Sequence, residues 1–151
     1  MTKKAKAQKK IRNHIESRGG EFLAVTPRTV RYWWGVCNHA LFGGKLHPPT
    51  EIVTRPLKDC YGFIEATKSL VRFTITTGVT RELFLTALVH EMVHQWEHET
   101  YGKMGHHGKR FYAWKKRVEN IGLDLETDID QEEFFTYGEK QLYKRRYKDT
   151  L

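Results

Sequence analysis

Three residues with the types and spacing to do chemistry, His90, Glu91 and His94, stand in the run Ala87-Leu88-Val89-His90-Glu91-Met92-Val93-His94-Gln95-Trp96. On a helix, residues four apart are separated by about 40° around the axis and about 6 Å along it. His90 and His94 then leave one face with their rings close enough to hold a single metal ion. Glu91, one position after the first histidine, can reach a water on that ion. This HExxH pattern suits Zn2+, with two imidazoles fixing the ion and the carboxylate accepting a proton from water. With 8 His and 13 Glu in 151 residues, chance yields the pattern roughly 0.04 times per chain. Its surroundings must therefore decide what it means.

The surroundings supply a helix. Thr80 is an N-cap, Leu83, Ala87, Leu88, Met92 and Trp96 form an apolar stripe, and Gly102 is a C-cap, which predicts a helix of roughly Arg81 to Tyr101. Before it, Thr26-Pro27 reads as an N-cap followed by proline in the first turn. Val30, Trp33, Trp34, Cys37 and Leu41 predict an amphipathic helix from Pro27 to Phe42, ended by Gly43-Gly44. His39 and His47, on or near that element, are read as solvent-facing or locally satisfied. Three short strands are predicted at Glu51–Arg55, Cys60–Ala66 and Val71–Thr76, with turns at Lys58-Asp59 and Thr67-Lys68-Ser69. Their short connections suggest an antiparallel sheet, one edge of which can run beside the metal helix and take a substrate peptide as an added strand.

A catalytic zinc takes three protein ligands and leaves a position for water. His98 lies about 12 Å along the helix from His90 and cannot easily reach the same ion. Lys109 to Ile121 reads as a further helix (Phe111, Trp114, Val118, Ile121) ended by Gly122. The glycine-marked turn before it, Gly102 to Gly108, returns the chain towards His90 and His94. His106 and His107 on that turn are the stronger third ligands, His107 having Gly108 beside it to free its backbone. Glu119 is a carboxylate alternative.

Size and charge bound the rest. The chain has the length of one domain able to bury a core, and its 4 Trp, 7 Tyr and 8 Phe argue for a folded globule. No apolar run is long enough for a membrane span, and the start, Met-Thr-Lys-Lys-Ala-Lys, is no secretory signal. Cys37 and Cys60 are the only cysteines, which excludes a disulfide framework and a four-cysteine zinc ribbon. A reduced, cytoplasmic setting follows. Residues 1–18 carry seven Lys/Arg against one Glu and residues 139–151 five against two acids, whereas 19–138 carry 14 bases and 15 acids. The expected organisation is a basic N-terminal tail over 1–20, a central domain over 21–130 and an aromatic, basic C-terminal extension over 131–151. The tail grades into a short helix (Ile11, His14, Ile15) and is expected to add little to the fold. Basic ends suit a polyanion, most simply nucleic acid, and the Tyr interleaved with Lys/Arg after Tyr143 can stack bases.

From about Trp33 to Ile121 the chain resembles the SprT-like, or Spartan-type, metalloproteases. Asn38-His39-Ala40-Leu41-Phe42-Gly43-Gly44-Lys45-Leu46 is similar to that family's opening segment, and Tyr61-Gly62-Phe63 to its glycine-containing strand. His90-Glu91-Met92-Val93-His94 matches its metal motif, and His107-Gly108-Lys109-Arg110-Phe111 its His-Gly-x-x-Phe. The resemblance implies that His107 is the third zinc ligand. It implies an α+β, zincin-like metalloprotease domain, with a short antiparallel sheet packed on the HExxH helix and its neighbours. It further implies proteolysis of proteins bound or crosslinked to DNA, with DNA as activator. Two departures stand out: Cys37 replaces the aromatic before the Asn, and the zinc ribbon of many members is missing.

The reading is therefore a zinc endopeptidase, monomeric, with zinc on His90, His94 and His107 and with Glu91 as the general base. Its partners are a protein or peptide substrate and single-stranded or damaged DNA, engaged through the basic tails. Tyr61, Tyr101 and Tyr112 are candidates to stabilise the oxyanion. The rival readings are a zinc peptidase with a DNA-unrelated substrate, a non-catalytic nucleic-acid-binding module with structural zinc, and, last, a metal-dependent nuclease.

Overall fold

The helix that carries the HExxH run has the bounds its sequence predicts. In the computed structural model, which describes residues 1–17, 24–58, 60–105 and 107–125, α3 spans Arg81–Tyr101, with Thr80 accepting from the Leu83 amide and Gly102 closing the helix at φ 80°. Leu83, Phe84, Leu85, Leu88, Val89, Met92 and Val93 are all fully buried. A helix apolar on most of its circumference sits inside the domain, not on its surface.

Two elements precede the sheet. α2 (Pro27–Leu41) starts at the predicted cap, Thr26, whose hydroxyl accepts from the Thr29 amide. It is fastened to α3 by Trp34, whose Nε1 donates to Oε1 of the fully buried Gln95 at 3.0 Å. Gln95 in turn donates to the His47 carbonyl at 2.7 Å. Asn38 holds the loop after α2 from inside. Its Nδ2 donates to the Leu46 carbonyl and its Oδ1 accepts from the Leu46 amide, both at 3.1 Å. Gly43 and Gly44, at φ 64° and 74°, make the left-handed reversal that this clasp requires.

α1 (Lys3–Glu16) departs from the expected tail. Ala7, Ile11 and Ile15, four apart, form an apolar line in an otherwise basic segment, and Ile11 is fully buried. Gln8 Nε2 donates to the Ala40 carbonyl at 3.1 Å and Arg12 Nη2 to the Asn120 carbonyl at 3.2 Å. The basic N-terminus is thus a docked helix, with Arg12 held at the Asn120 carbonyl.

The sheet also departs from expectation. Strands β1 (Glu51–Arg55), β2 (Gly62–Ala66) and β3 (Val71–Thr76) lie in the order β1-β3-β2, with β2 antiparallel to β3 but β1 parallel to it. The expected all-antiparallel sheet is a mixed one. Phe73, Thr74, Ile75 and Thr76 are all buried, so β3 takes the centre, where both of its edges are paired. The turn over Thr67–Leu70, in which Thr67 Oγ1 accepts from the Ser69 and Leu70 amides, makes β2 and β3 a hairpin. β1 is left the far edge of β3, and the chain after Arg55 passes across to begin β2.

The predicted helix from Lys109 to Ile121 is two short ones, α4 (Lys109–Tyr112) and α5 (Lys115–Asn120). The break sits at Ala113 and Trp114. It lets Phe111 face the histidines while Trp114 packs on Phe42 and Trp96, at ring centroid distances of 4.6 and 5.1 Å. Gly122, at φ 93°, ends α5 as expected. Cys37 is buried, its thiol pushed up to about 12 by burial, and Cys60 is exposed and free. Among the described residues no helix is long and apolar enough to cross a membrane. The C-terminal extension over 131–151 lies outside the described residues.

Candidate metal centre

α3 presents His90 and His94 on one face, one turn apart, and the turn after Gly102 brings His107 over them. His107 Nε2 lies 2.9 Å from His90 Nε2 and 3.1 Å from His94 Nε2. The candidate ligand atoms of His90, His94 and His107 all fall within 4.8 Å of one another. Tetrahedral nitrogen ligands at about 2.05 Å from one ion would be about 3.4 Å apart. The fit is also chemical. Nε2 of a neutral His107 has either one proton or one lone pair, so it can make one good hydrogen bond and leaves its other close contact unmet. A cation at the centre satisfies all three.

Phe111 is the floor of this cluster. Fully buried, its ring stands 4.7 Å from that of His90, 4.9 Å from His94 and 4.8 Å from His107. It leaves the imidazoles little room to turn away from the common point. Because Phe111 lies on α4, it also ties the His107 turn to the helix that follows.

Glu91 points into the domain beside His90, its Oε1 3.9 Å from His90 Nε2. It is 7% exposed, and burial pushes its carboxyl up to about 8. A cation held by the imidazoles favours the ionised form of such a carboxyl. β2 approaches closely here. A Cβ on Gly62 would stand 3.0 Å from the Thr74 carbonyl oxygen and 3.7 Å from Glu91 Cγ. The tight contacts of that Cβ, at 3.0 Å to both the Thr74 oxygen and Ile75 Cδ1, are with β3, so glycine at 62 relieves crowding between β2 and β3 beside the carboxylate.

Glu97 was not among the residues singled out from the sequence. It is 1% exposed. Its Oε1 lies 3.2 Å from His94 Nδ1, and its Oε2 accepts from the Gly105 amide at 3.2 Å. The signal was present as a carboxylate three positions after a ligand histidine, on the same helical face. The His94 ring is held below its ordinary range by burial and by His107, with Glu97 opposing. A neutral imidazole is the form that ligates.

The remaining candidates are placed elsewhere. His98 Nε2 lies 3.3 Å from the Thr67 carbonyl, on the β2–β3 turn. Glu119 is paired with Lys115 at 3.2 Å on the exposed side of α5. His47 is bound to Glu99 at 2.5 Å, and His39 is exposed. His106 lies outside the described residues. Of the tyrosines, Tyr101 packs between Arg110 and Trp96, and Tyr112 against Phe111. Tyr61 immediately precedes Gly62 on the approach to Glu91.

Fold and site together define an α+β domain with a three-histidine centre able to hold a metal ion. The sequence reaches the same class from its own side: the model of the SprT-like family matches residues 31–131. That is well over half of the chain, which belongs to the SprT-like family, one of metallopeptidase-type domains. No curated protein and no solved structure matches it.

Proposed function

We propose that the protein is a zinc-dependent endopeptidase that hydrolyses DNA-associated or DNA-crosslinked proteins and is stimulated by DNA. The observation that carries the proposal is the convergence of His90, His94 and His107 on one point beside the buried carboxylate of Glu91. His90, His94 and His107 hold the ion. When bound, zinc supplies Lewis acidity, acidifying a water and polarising the scissile carbonyl. Glu91 takes the proton from the attacking water on a carboxylate oxygen and delivers it to the leaving amine nitrogen. Its burial keeps competing solvent away and raises its proton affinity, while a cation held by the imidazoles would favour the ionised form that accepts the proton. Glu97 keeps the His94 ring in place by its contact at Nδ1.

The sheet supports a peptide substrate. β2 is an edge strand of the described sheet, paired with β3 on one side only. β2 also packs on Glu91 at Gly62, which supports an extended peptide adding to its open edge as a further strand. The DNA part of the proposal is supported by the net charge of +8.

The test is cleavage of casein, and of the protein itself, by zinc-loaded protein with and without single-stranded DNA, beside Glu91→Gln. Cleavage that needs both Glu91 and DNA supports the whole reading. Cleavage that needs Glu91 alone keeps the peptidase and removes the DNA link. Zinc bound one to one with no cleavage under either condition refutes the peptidase and leaves a zinc-containing nucleic-acid-binding module.

A further inference from the structure

The cations and rings that the metal centre does not use line up along another side of the domain. α1 lays Lys4 and Arg12 against Arg117 of α5, and a recess of about 240 Å³ opens between them. Among the described residues no carboxylate lines this recess, and none forms an ion pair with these cations. Three like charges brought together without an acid repel one another until an anion joins them.

Across Leu41 and Arg117 the recess continues into a larger one of about 510 Å³, walled in part by Trp96 and Trp114 and rimmed by Lys45. Its one acid, Glu99, contacts the His47 amide and ring through Oε1, and its Oε2 is buried without a hydrogen-bond partner. From here cations and rings follow one another. Arg117 lies over Trp114 at 4.6 Å. Trp114 meets Trp96 edge-on at 5.1 Å, and Trp96 meets Tyr101 edge-on at 5.7 Å. Arg110 covers Tyr101 at 3.7 Å. Arg110 lies on α4, three residues after His107, so the strip that begins on α1 ends on the short helix that follows the His107 turn.

We propose that this strip binds single-stranded nucleic acid, with phosphates on Lys4, Arg12, Arg117, Lys45 and Arg110 and bases against Trp96 and the exposed Tyr101. Each unpaired nucleotide brings one charge and one free ring face, the same pairing the strip offers. A duplex hides its ring faces, and an acidic peptide has charge without rings. For its partner the inference rests on the nucleic-acid part of the proposed function; it does not rest on catalysis. It gives that partner a folded face that reaches the His107 turn.

The experiment is fluorescence anisotropy of a labelled oligothymidylate of about 20 nucleotides against the full chain at several salt concentrations. Lys45→Glu/Arg117→Glu, two exposed positions on the strip, weakens binding at least about tenfold and flattens the salt slope by about 1 to 2. Lys6→Glu/Lys9→Glu has the same charge change on the solvent side of α1 and stays within about threefold. Arg110→Gln, a milder change, weakens binding about threefold with the melting temperature unchanged. Equal losses in the two double variants, or no loss in the first, overturn the strip. So does competition by polyglutamate as effective as by unlabelled oligothymidylate, which would point to an acidic protein. Glu91→Gln binds the oligonucleotide like the parent. Binding along the strip without any proteolysis therefore refutes only the peptidase, and proteolysis without oligothymidylate binding refutes only the strip.

Discussion

Nδ1 of His94 lies 3.2 Å from Oε1 of Glu97, and the second oxygen of the same carboxylate accepts from the backbone amide of Gly105, two residues before His107. One buried side chain thus fixes both a ligand on α3 and the turn that delivers the third ligand. A carboxylate behind a ligating imidazole sets its tautomer and raises its basicity.

Removing that carboxylate weakens the metal site from two directions. Glu97→Ala lowers zinc affinity by about 10- to 100-fold, and Glu97→Gln, which keeps one acceptor, by less. Gly105→Ala acts through the same link, since its Cβ would stand 2.8 Å from Glu97 Oε2 in a place where that side chain is 1% exposed. Competition against a chromogenic chelator reads all three. Unaltered affinity in Glu97→Ala would assign the orientation of His94 to Phe111 alone.

Metal removal destabilises the domain as well as emptying its centre. The ion joins α3 to the His107 turn, so stripping with a chelator loosens that turn and lowers the melting temperature. At free zinc 100-fold above its dissociation constant the loss is about 2.7 kcal/mol. His107→Ala abolishes most of the zinc-dependent rise, whereas His98→Ala, whose ring is turned to the Thr67 carbonyl, preserves it. A His98 variant that lost the rise would move the third ligand to His98.

What the sequence made legible was what local rules govern. Thr80 and Gly102 bound α3, Thr26 and Pro27 start α2, and the Gly-marked turn returns the chain to His90 and His94. Each of these is a cap, a period or a turn, readable within a few residues. The misses were decided by partners distant in the chain. The central place of β3 goes with its burial, β1 pairs with it across a crossover, and the split between α4 and α5 goes with Trp114 packing on Phe42. A short helix at Ile11, His14 and Ile15 is legible in the basic N-terminal segment, but its docking depends on partners far along the chain, the carbonyls of Ala40 and Asn120 among them. Glu97 was hidden for a different reason: its second contact, the Gly105 amide, has no sequence signature.

Asn38 predicts a stability effect with little chemistry in it. Its side chain both donates to and accepts from Leu46 in a buried setting. Asn38→Ala leaves the Leu46 amide and carbonyl unpaired and costs about 2 to 3 kcal/mol. Asn38→Asp keeps the acceptor, loses the donor and buries a charge, so it is no milder. Urea unfolding of the zinc-loaded protein checks both, and a loss below about 0.5 kcal/mol for the alanine variant would show that the Gly43-Gly44 turn holds itself.

The docking of α1 carries its own pH dependence through His14. Its ring stacks on Trp33 at 4.1 Å, its Nε2 is buried without a partner, and it is lowered to about 4 from 6.5, first by burial and then by the Arg81 charge. Arg81 also donates to Ser17 at 3.0 Å, at the end of α1. Between pH 6.5 and 4 the unfolded chain binds a proton at this position that the folded chain refuses. Its contribution is therefore fully present above about pH 6.5 and is lost as the pH falls towards 4. Carboxylates titrate over part of the same range, so the comparison needed is with His14→Phe, which keeps a ring on Trp33 and removes the proton site. As the pH drops from about 7.5 to 4.5, the parent loses stability relative to that variant. The gap is on the order of 1 kcal/mol after discounting for a ring that is only half buried. Melting temperatures of the two proteins along that series decide the matter: parallel curves would mean that α1 stays docked with His14 charged, and a gap that opens below pH 6.5 would identify His14 as the group that releases it.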